Sequence, residues 1–318
     1  MRHIFVLNPA AGKGNKLSSF EEKIHAIAKE KKISYEIYHT GNVGDASRFV
    51  REYCLRDKEA LRFYACGGDG TLSEVIGGAV GFENAEVAVV PIGTGNDFVR
   101  SLGKNEDFLD VAAQMDAKAQ PFDVIRRNDK YCINMINIGF DGEVAARASE
   151  AKRHVPGALA YICGVIGEFF KMSTAKFRCV IDGVDMGERT VQLSLYANGG
   201  FCGGGFYAAP YADLHDGLMD VCFIRPVSRL ELIRLIGSYR KGTYLLPEKN
   251  SKYFEYYKCS EITLTFEKPQ RICIDGEIEV CDSLHLSVVP DGVRMVLPEG
   301  VKSSYEKIPE SSHVKTLV

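Results

Sequence analysis

The sequence predicts an α/β N-terminal domain with a parallel sheet, followed by a mostly antiparallel β domain. Three observations carry this prediction. Short apolar segments alternate with helical patterns over the first third of the chain, glycine-rich loops follow several of these segments, and the pattern changes to closely spaced β-type segments after Asp123. Alternating strands and helices are typical of a parallel sheet with helices on its faces. The first domain is therefore predicted to span residues 1–123.

In the first domain, extended and helical patterns alternate along the chain. Strands are predicted at residues 4–7, 33–38, 61–66 and 87–90, and helices at residues 20–31, 45–55 and 72–76. The strand segments are short and apolar, and polar or glycine-containing turns separate them from the helical segments. This order predicts βαβ units, whose strands run parallel.

After Asp123, short β-type segments dominate, and Gly, Asp and Asn turns separate them. Strands are predicted at residues 131–138, 176–181, 190–197, 219–224, 262–266, 271–274 and 283–289, with helical insertions at residues 155–172 and 228–244. Strands at this spacing indicate a mostly antiparallel domain over residues 124–292. A last apolar segment at 293–297 precedes a polar tail, and residues 293–318 are predicted to return to the first domain.

Composition and charge narrow the classes of function. A chain of 318 residues suits two domains, because single cores rarely grow beyond about 250 to 300 residues. The 39 basic and 42 acidic residues give a formal net charge of -3, which argues against a nucleic-acid binder that depends on counterion release. The histidines lack metal-ligand spacing, and the absence of a G-x-S-x-G elbow removes the usual hydrolase interpretation.

Cysteine usage and apolar segments predict a cytoplasmic protein. The 10 cysteines form no C-x-x-C pair and are typical of reduced, mostly buried thiols. The apolar segment at 4–7 is too short for the core of a signal peptide. The longest apolar stretch, at 157–170, is interrupted by Glu168 and is shorter than the roughly 20 residues of a spanning helix. That stretch is predicted to be a buried or interfacial helix.

The turn that follows the predicted strand 61–66 is typical of a phosphate-binding loop. It reads Gly67-Gly68-Asp69-Gly70-Thr71 and leads into a helical pattern. Glycines let backbone N–H groups approach a phosphate, and the start of a helix adds a positive dipole end. A buried turn that needs several glycines is the alternative, although such a turn has no need of an acidic residue.

Two further loops follow predicted strands of the same sheet. The first, from Pro91 to Phe98, contains Thr94 and Asp97, and the second runs from Asn8 to Gly14. The carboxyl ends of neighbouring parallel strands face one crevice, so these loops are expected to meet at a single nucleotide. The loop at 8–14 does not fulfil the Walker pattern and could equally be a surface turn.

Together these motifs resemble the bacterial diacylglycerol kinase and lipid kinase family. The resemblance covers an N-P-x-[AS]-G loop at 8–12, a T-x-x-x-G-D-A segment at 40–46, the G-G-D-G-T turn at 67–71 and a P-x-G-T-x-N-D-F loop at 91–98. In the second domain it covers a glycine-rich segment at 198–206, a D-G-x-x-D-V segment at 216–221 and a D-G-E turn at 275–277. The G-G-D-G-T turn alone is shared with NAD kinases and sphingosine-type kinases, so the resemblance depends on the whole set.

The resemblance implies an NAD kinase-like first domain, a β-sandwich second domain and specific roles for the motif residues. The residues implied to contact ATP are Asn8, Pro9, Ala10, Ala11, Gly12, Thr40, Gly67, Gly68, Asp69, Gly70, Thr71, Leu72, Ser73 and Thr94. Asp213, Asp216 and the backbone of Leu218 are implied to hold Mg²⁺. Glu277 is implied to be the general base.

The chemistry of the residues agrees with these roles. Phosphoryl transfer needs charge neutralisation and a base near the acceptor hydroxyl. The chain supplies carboxylates in four glycine-containing turns, from Asp69, Asp97, Asp216 and Glu277, and each can project into a cleft. Asp69 and Asp97 are predicted to act catalytically as indirect, water-mediated ligands of the cation. For Asp216 and Glu277 the alternative is a solvated turn residue.

The helical segment 228–244 is predicted to bring basic side chains beside an apolar set. Leucines and isoleucines are surrounded by Arg225, Arg229, Arg234, Arg240 and Lys241, and Glu231 is the only acidic residue among them. Such a helix can lie on an anionic membrane surface. A buried helix with a solvated basic edge is the alternative.

The function expected from this reasoning is a Mg²⁺- and ATP-dependent lipid kinase that phosphorylates diacylglycerol to phosphatidic acid at the inner face of the membrane. The alternatives are another acceptor lipid, such as phosphatidylglycerol, ceramide or undecaprenol, an NAD kinase-like enzyme, and a non-enzymatic lipid carrier. The resemblance also implies a homodimer, whereas no nucleic acid is expected as a partner.

Overall fold

The computed structural model describes residues 1–11, 16–151, 157–301, 308 and 314–316. The chain forms two compact units. The first contains Met1–Val124 and Val289–Glu306, and the second contains Ile125–Val288 and Lys307–Val318.

Helices and strands alternate in the N-terminal half of the first unit. They are β1 (Arg2–Leu7), α1 (Lys16–Lys31), β2 (Tyr35–His39), α2 (Asp45–Arg56), β3 (Leu61–Gly67), α3 (Asp69–Ala79), β4 (Ala85–Pro91), α4 (Asp97–Leu102), a 3₁₀ turn (Asn105–Phe108), α5 (Val111–Asp116) and β5 (Lys118–Arg127).

Strands dominate the remainder of the chain. The elements are β6 (Lys130–Cys132), β7 (Met135–Gly139), α6 (Phe140–Ala151), α7 (Gly157–Lys171), β8 (Ala175–Ile181), β9 (Val184–Val191), β10 (Leu193–Ala197), β11 (Phe201–Cys202), β12 (Phe206–Tyr207), β13 (Met219–Ile224), α8 (Arg229–Arg240), two 3₁₀ turns (Thr243–Leu245 and Glu248–Asn250), β14 (Phe254–Cys259), β15 (Glu261–Ile274), β16 (Glu277–Leu297) and β17 (Val314–Thr316).

The first unit is built on a parallel sheet with the strand order β4-β3-β1-β2. The end of β16 adds a further parallel strand, with Met295 opposite Val87. Every residue of β3 is buried, and so are the last five residues of β1. Strands that are buried on both faces are characteristic of a parallel sheet covered by helices. The α/β prediction for this part of the chain is confirmed.

The second unit is mostly antiparallel, as predicted. Its strands follow the order β17-β14-β13-β10-β7-β15-β16, and the β8–β9 hairpin pairs with β15. Alternate residues of β8 are buried, which places Phe177 and Cys179 in the core beside Phe223. The segment predicted at 176–181 is thus a strand with one face in the core.

Several predicted boundaries differ from the structure. The segment 131–138 contains two strands, because the backbone of residues 133 and 134 turns away to bind a side chain described below. The segment 190–197 is divided at Gln192, whereas 262–266 and 271–274 are parts of the single strand β15. The segments 283–289 and 293–297 likewise belong to the single strand β16.

The sequence prediction missed helix α6 and strand β14 and extended one helix too far. The helix predicted at 228–244 ends at Arg240, where Gly242 adopts a φ of 73° and a 3₁₀ turn follows. The tail prediction is also wrong in part, since Val314–Thr316 pairs in parallel with β14 of the second unit. No helix among the described residues combines the length and apolar character needed to cross a bilayer.

Candidate functional site

Four loops of the first unit leave neighbouring strands at the same edge of the parallel sheet. Leu7 lies opposite both His39 and Cys66, and Cys66 lies opposite Val90. The loops that begin at residues 8, 40, 68 and 92 therefore start at one level of the sheet. The Thr40 amide donates to the Leu7 carbonyl at 2.9 Å, which holds the second loop at this edge.

Two of these loops pack backbone against backbone. The Gly93 amide donates to the Gly67 carbonyl at 3.0 Å, and a Cβ atom added to Gly93 would lie 2.4 Å from the Gly68 Cα. A Cβ atom on Gly67 would lie 2.2 Å from the Thr71 hydroxyl oxygen. The contact between the loops therefore requires Gly93, whereas Gly67 is required by the Thr71 side chain of its own turn. Gly70 is different, because a Cβ atom there would meet nothing within 4 Å.

The start of α3 offers backbone amides to this edge. Gly68 is the N-cap residue in extended conformation, and it has no side chain that could accept from the amides of the first turn. The amides of a helix start attract anions through their N–H groups and the helix dipole. Gly70 lies in the same turn with open space at its Cα. The local geometry is suited to a phosphate group.

The first loop is tied to α3 by a side-chain contact. Asn8 donates from Nδ2 to the Thr71 hydroxyl at 3.0 Å, while its Oδ1 accepts from the Ala10 amide at 2.9 Å. Pro9 and Ala10 are exposed, and Ala11 closes the turn by donating to the Asn8 carbonyl. Gly12, predicted as a nucleotide contact, lies outside the described residues.

Asp69 links α3 to the loop that follows β4. Its Oδ1 accepts from the Phe98 amide at 3.1 Å, in the first turn of α4. Asn96, with a φ of 53°, donates from Nδ2 to the carbonyls of Pro91 and Gly93. Asp97 lies 3.4 Å from the Arg100 guanidinium. The roles of Asp69 and Asp97 as indirect metal ligands stay predictions, and Asp69 has in addition a clear structural contact.

Two acidic residues that were not predicted as functional residues order the loop that carries Thr40. Asp45 accepts from the Gly41 amide at 2.8 Å and from the Tyr38 hydroxyl, and the Gly41 hydrogen bond lowers the pKa of Asp45 below its usual value. Glu74 on α3 accepts from the amides of residues 44 and 46 at the start of α2. Asp45 could have been found in the G-D-A segment, whereas Glu74 gave no local signal.

In the second unit, Asp275 is the anchor of the D-G-E turn. The residue is 9% exposed, and its carboxylate accepts from the amides of Ile133, Asn134 and Met135 at 3.0 to 3.1 Å. The Cys132 thiol donates to the same carboxylate, and burial beside Asp275 raises the pKa of this thiol. The carboxylate is the reason why the predicted strand 131–138 is interrupted.

Glu277 lies directly after this anchored turn. Asp275 and Gly276 have φ values of 46° and 93°, and Ile274 pairs with Glu277 across the resulting two-residue hairpin. Such a turn is tight and holds its flanking residues in one register. Glu277 is exposed, and the hairpin fixes the backbone from which its carboxylate projects. A carboxylate in this position can accept a proton from a substrate hydroxyl.

A lysine on β14, which the sequence did not single out, contacts the predicted metal-binding loop. Lys258 donates from Nζ to the Asp216 carboxylate and to the Tyr211 carbonyl, each at 2.8 Å. Its Nζ also lies 3.8 Å from the fully buried carboxylate of Asp220. Asp216 further accepts from the Leu218 amide at 3.0 Å. The ammonium group thus neutralises part of the charge that a metal ion would meet there.

The donor set of this loop fits Mg²⁺ in its chemistry. Asp213 and Asp216 supply carboxylate oxygens and Leu218 supplies a carbonyl, which are the hard ligands that Mg²⁺ prefers. Asp213 accepts from the His215 amide at 3.2 Å and so belongs to the same turn. Among the described residues, no three His, Cys, Asp or Glu side chains come together as a metal site. An ion here would depend on backbone oxygen and water for its remaining ligands.

Two family models match the chain, and together they span most of it. The diacylglycerol kinase catalytic domain matches residues 2–127. The YegS C-terminal NAD kinase beta sandwich-like domain matches residues 134–297, which is half of the chain. The boundary between the two matches falls close to the boundary between the two compact units.

Curated relatives and solved structures agree with these matches. A Pseudomonas aeruginosa PAO1 protein named "Probable lipid kinase YegS-like" is 30% identical and covers 88% of this chain and 91% of its own length. The diacylglycerol kinase of Bacillus subtilis is 26% identical over 86% of this chain and 88% of its own. The fold is shared with a diacylglycerol kinase from Bacillus anthracis Sterne, with a TM-score of 0.68, 20% identity and coverage of 95% and 98%.

Proposed function

We propose that the chain transfers the γ-phosphoryl group of ATP to diacylglycerol, because it belongs to the family of lipid kinases with a diacylglycerol kinase catalytic domain and a YegS-type C-terminal domain. The product would be phosphatidic acid. Kinase chemistry on a lipid is the property of the family, and diacylglycerol is our choice of acceptor. The Bacillus subtilis relative that is named a diacylglycerol kinase supports this choice.

The observation that carries the proposal is the set of loops at one edge of the parallel sheet. The loop containing Asn8, the loop containing Thr40, the G-G-D-G-T turn and the loop containing Thr94 follow four neighbouring strands. Thr94 is exposed, and the first turn of α3 has open space beside Gly70. We assign the nucleotide to this edge, with its phosphates at the amides of residues 68–73.

The second unit supplies the groups that handle charge and protons. We assign Mg²⁺ to Asp213, Asp216 and the Leu218 carbonyl, where a bound ion supplies positive charge that stabilises the loop and its surroundings. In this proposal, Glu277 accepts the proton of the acceptor hydroxyl as the hydroxyl oxygen attacks the γ-phosphorus, and ADP leaves as the bond between the γ-phosphorus and the bridging oxygen breaks. Removal of a positioned general base costs typically 10² to 10⁴-fold in rate. Asp275 holds Glu277 in place through the turn that both residues share.

Three other functions differ from this one in the acceptor of the phosphoryl group or in the absence of phosphoryl transfer. A kinase for phosphatidylglycerol, ceramide or undecaprenol would use the same residues, and an NAD kinase-like enzyme would act on a soluble dinucleotide. A lipid carrier would bind lipid without transferring phosphate. We further propose that the protein acts in the cytoplasm, attaches peripherally to the inner face of the membrane, and forms a homodimer.

The test is transfer of labelled γ-phosphate from ATP with Mg²⁺ to a panel of lipids in mixed micelles, with NAD as a soluble acceptor. Labelled phosphatidic acid is the expected product. Glu277→Gln is expected to lower turnover at least 100-fold and to leave ATP affinity unchanged. The matched control is Glu261→Gln, which changes another exposed glutamate at a strand end of the same unit and should behave as wild type.

Each alternative predicts a different result. If only another lipid is labelled, that lipid and not diacylglycerol is the acceptor. If NAD is labelled, the acceptor is the soluble dinucleotide and not a lipid. ATP binding with no labelled product on any acceptor would contradict the kinase. Near-normal turnover of Glu277→Gln would remove Glu277 as the base.

A further inference from the structure

Exposed apolar side chains are concentrated at one place on the second unit. The described residues include twelve large apolar side chains that are exposed, and five of these lie on α7 and α8. They are Ile166, Phe170, Leu230, Ile233 and Ile236, and together they are called the α7–α8 surface here. Phe170 and Leu230 are each 68% exposed. A soluble protein rarely groups such residues unless they contact a partner.

A guanidinium group joins the two helices. Arg229 in the first turn of α8 donates from Nε to the Phe169 carbonyl at 3.1 Å and from Nη2 to the Phe170 carbonyl at 2.5 Å. These carbonyls belong to the last turn of α7, where no further turn of helix supplies amides that could donate to them. The end of α7 and the start of α8 are therefore adjacent, and their exposed apolar residues belong to one surface.

The start of α8 is also fixed to the body of the unit. Ser228 and Glu231 form a reciprocal capping box, and Tyr253 donates to Glu231 at 2.8 Å. The bonds from Ser228 and Tyr253 lower the pKa of Glu231 to about 2. The charge of Glu231 is thus held at the helix start by neighbouring donors, on the side away from the exposed apolar residues.

The two sides of α8 differ in character. Leu235 and Tyr239 are buried, whereas Leu230, Ile233 and Ile236 recur every three residues on the exposed side. At about 100° per residue, Arg234 and Arg240 lie within the same exposed half of the helix. Both are exposed, and the Arg240 guanidinium also lies 5.8 Å from the centre of the Phe206 ring. Apolar and basic side chains thus share one side of α8, while its acidic residue lies elsewhere.

We propose that the α7–α8 surface docks this protein onto an anionic lipid bilayer, an inference that rests on the proposed lipid kinase function for its biological purpose. Isoleucine, leucine and phenylalanine side chains enter the boundary between headgroups and acyl chains, and arginines above them attract anionic headgroups. Each basic residue near such a surface raises binding about fivefold.

A second copy of this chain fits the surface less well than a bilayer does. A closed dimer would place this surface against itself about a two-fold axis. That arrangement would bring Arg234 and Arg240 of both copies together without an acidic residue of α8 between them, since Glu231 is engaged at the helix start. A bilayer of anionic lipids complements both the apolar and the basic side chains at once.

The first test is sedimentation of the full chain with vesicles of phosphatidylglycerol and phosphatidylcholine, and with vesicles of phosphatidylcholine alone. Wild type is expected to bind the anionic vesicles more tightly, and added salt should weaken this binding. Ile233→Glu should lower binding at least tenfold, and Arg234→Glu should lower binding to anionic vesicles only. The matched controls are Val184→Glu and Lys268→Glu, which introduce the same charges at exposed positions of β9 and β15.

The side chains of Ile233, Arg234, Val184 and Lys268 are all exposed, so the four variants are expected to fold. Circular dichroism of each variant checks this. Equal vesicle binding by Ile233→Glu and Val184→Glu would overturn the proposal. Vesicle binding that is unchanged in Ile233→Glu, together with a dimer that this variant converts to a monomer in sedimentation equilibrium, would assign the surface to a second copy of the chain.

A kinase measurement separates failure of this proposal from failure of the proposed function. Ile233→Glu is expected to lose transfer to diacylglycerol in anionic vesicles and to keep transfer to a short-chain diacylglycerol that is dispersed as monomers. Equal loss with both acceptors would contradict docking as the cause. If wild type phosphorylates neither acceptor but binds anionic vesicles through Ile233, the proposed kinase function fails and the docking surface stands.

Discussion

Replacement of Asp275 by alanine is expected to destabilise the second unit strongly. The carboxylate accepts from three backbone amides of residues 133–135, all of which are at least 90% buried. Each buried donor left without an acceptor costs about 1 to 3 kcal/mol. Because the loop can relax and admit water, the total is expected to be about 3 to 5 kcal/mol, near the upper end for single substitutions.

This cost should appear as a lower melting temperature. A loss of about 3 to 5 kcal/mol corresponds to roughly 6 to 20 °C for a domain of about 150 to 250 residues, the size range of the second unit. Asp275→Asn should fall between alanine and wild type, because asparagine tolerates the φ of 46° and keeps one acceptor oxygen. Thermal unfolding followed by circular dichroism measures all three proteins.

The chain contains a matched control for this experiment. Asp182 also precedes a glycine in a two-residue hairpin, with a φ of 44°, and its carboxylate accepts from the amides of Ser260 and Glu261. These amides lie near solvent, so water can replace the lost acceptor. Asp182→Ala should cost clearly less than Asp275→Ala. The reasoning would be refuted if the melting temperature of Asp275→Ala were within about 2 °C of the wild-type value, or no lower than that of Asp182→Ala.

Three further outcomes are expected. Gly93→Ala should weaken ATP binding and lower the melting temperature, because its Cβ atom would lie 2.4 Å from the Gly68 Cα; equal nucleotide affinity in a titration would argue against the loop contact. Lys258→Met should make the melting temperature depend more strongly on Mg²⁺ than wild type, since the ammonium bound to Asp216 is lost; an identical Mg²⁺ response would contradict this. Burial lowers the pKa of His3 in the folded protein to about 4. Between about pH 6.5 and pH 4 the unfolded chain therefore binds a proton at His3 that the folded protein does not bind. The free energy of unfolding should fall as the pH decreases over this range, by up to about 1.4 kcal/mol per pH unit. Urea unfolding of wild type and His3→Gln measures this, and equal slopes would exclude His3 as the cause.

The division into a parallel α/β part and an antiparallel part could be predicted because both depend on local patterns. Continuous apolar segments and alternating segments reflect burial on two faces or one. Helix α6 was missed because its sequence begins with Phe140, Asp141 and Gly142 and lacks a clear apolar period. The three residues of β17 carry no pattern at all, and their pairing depends on the edge of β14 that only the folded chain provides.

The position of the nucleotide loops was predictable for a different reason. The strands of a parallel sheet all end at the same edge, so motifs that follow successive strands must meet whatever their detailed conformation. Contacts between the loops were not predictable in this way. Glu74 caps a helix that begins about 30 residues earlier in the chain, and Lys258 reaches Asp216 from a strand that was not predicted. Such pairs have no fixed spacing in the sequence.

The D-G-E turn illustrates why residue type alone did not assign roles. A solvated turn residue was the alternative interpretation of Glu277, and Glu277 is exposed, whereas Asp275 in the same turn is buried. The difference arises because Asp275 adopts positive φ and turns its carboxylate onto the amides of the neighbouring chain segment. An exposed base needs a fixed backbone to reach a substrate hydroxyl repeatedly in the same geometry. In the proposed mechanism, Asp275 holds the backbone from which Glu277 projects. Loss of Asp275 is therefore expected to reduce turnover even under conditions in which the protein remains folded.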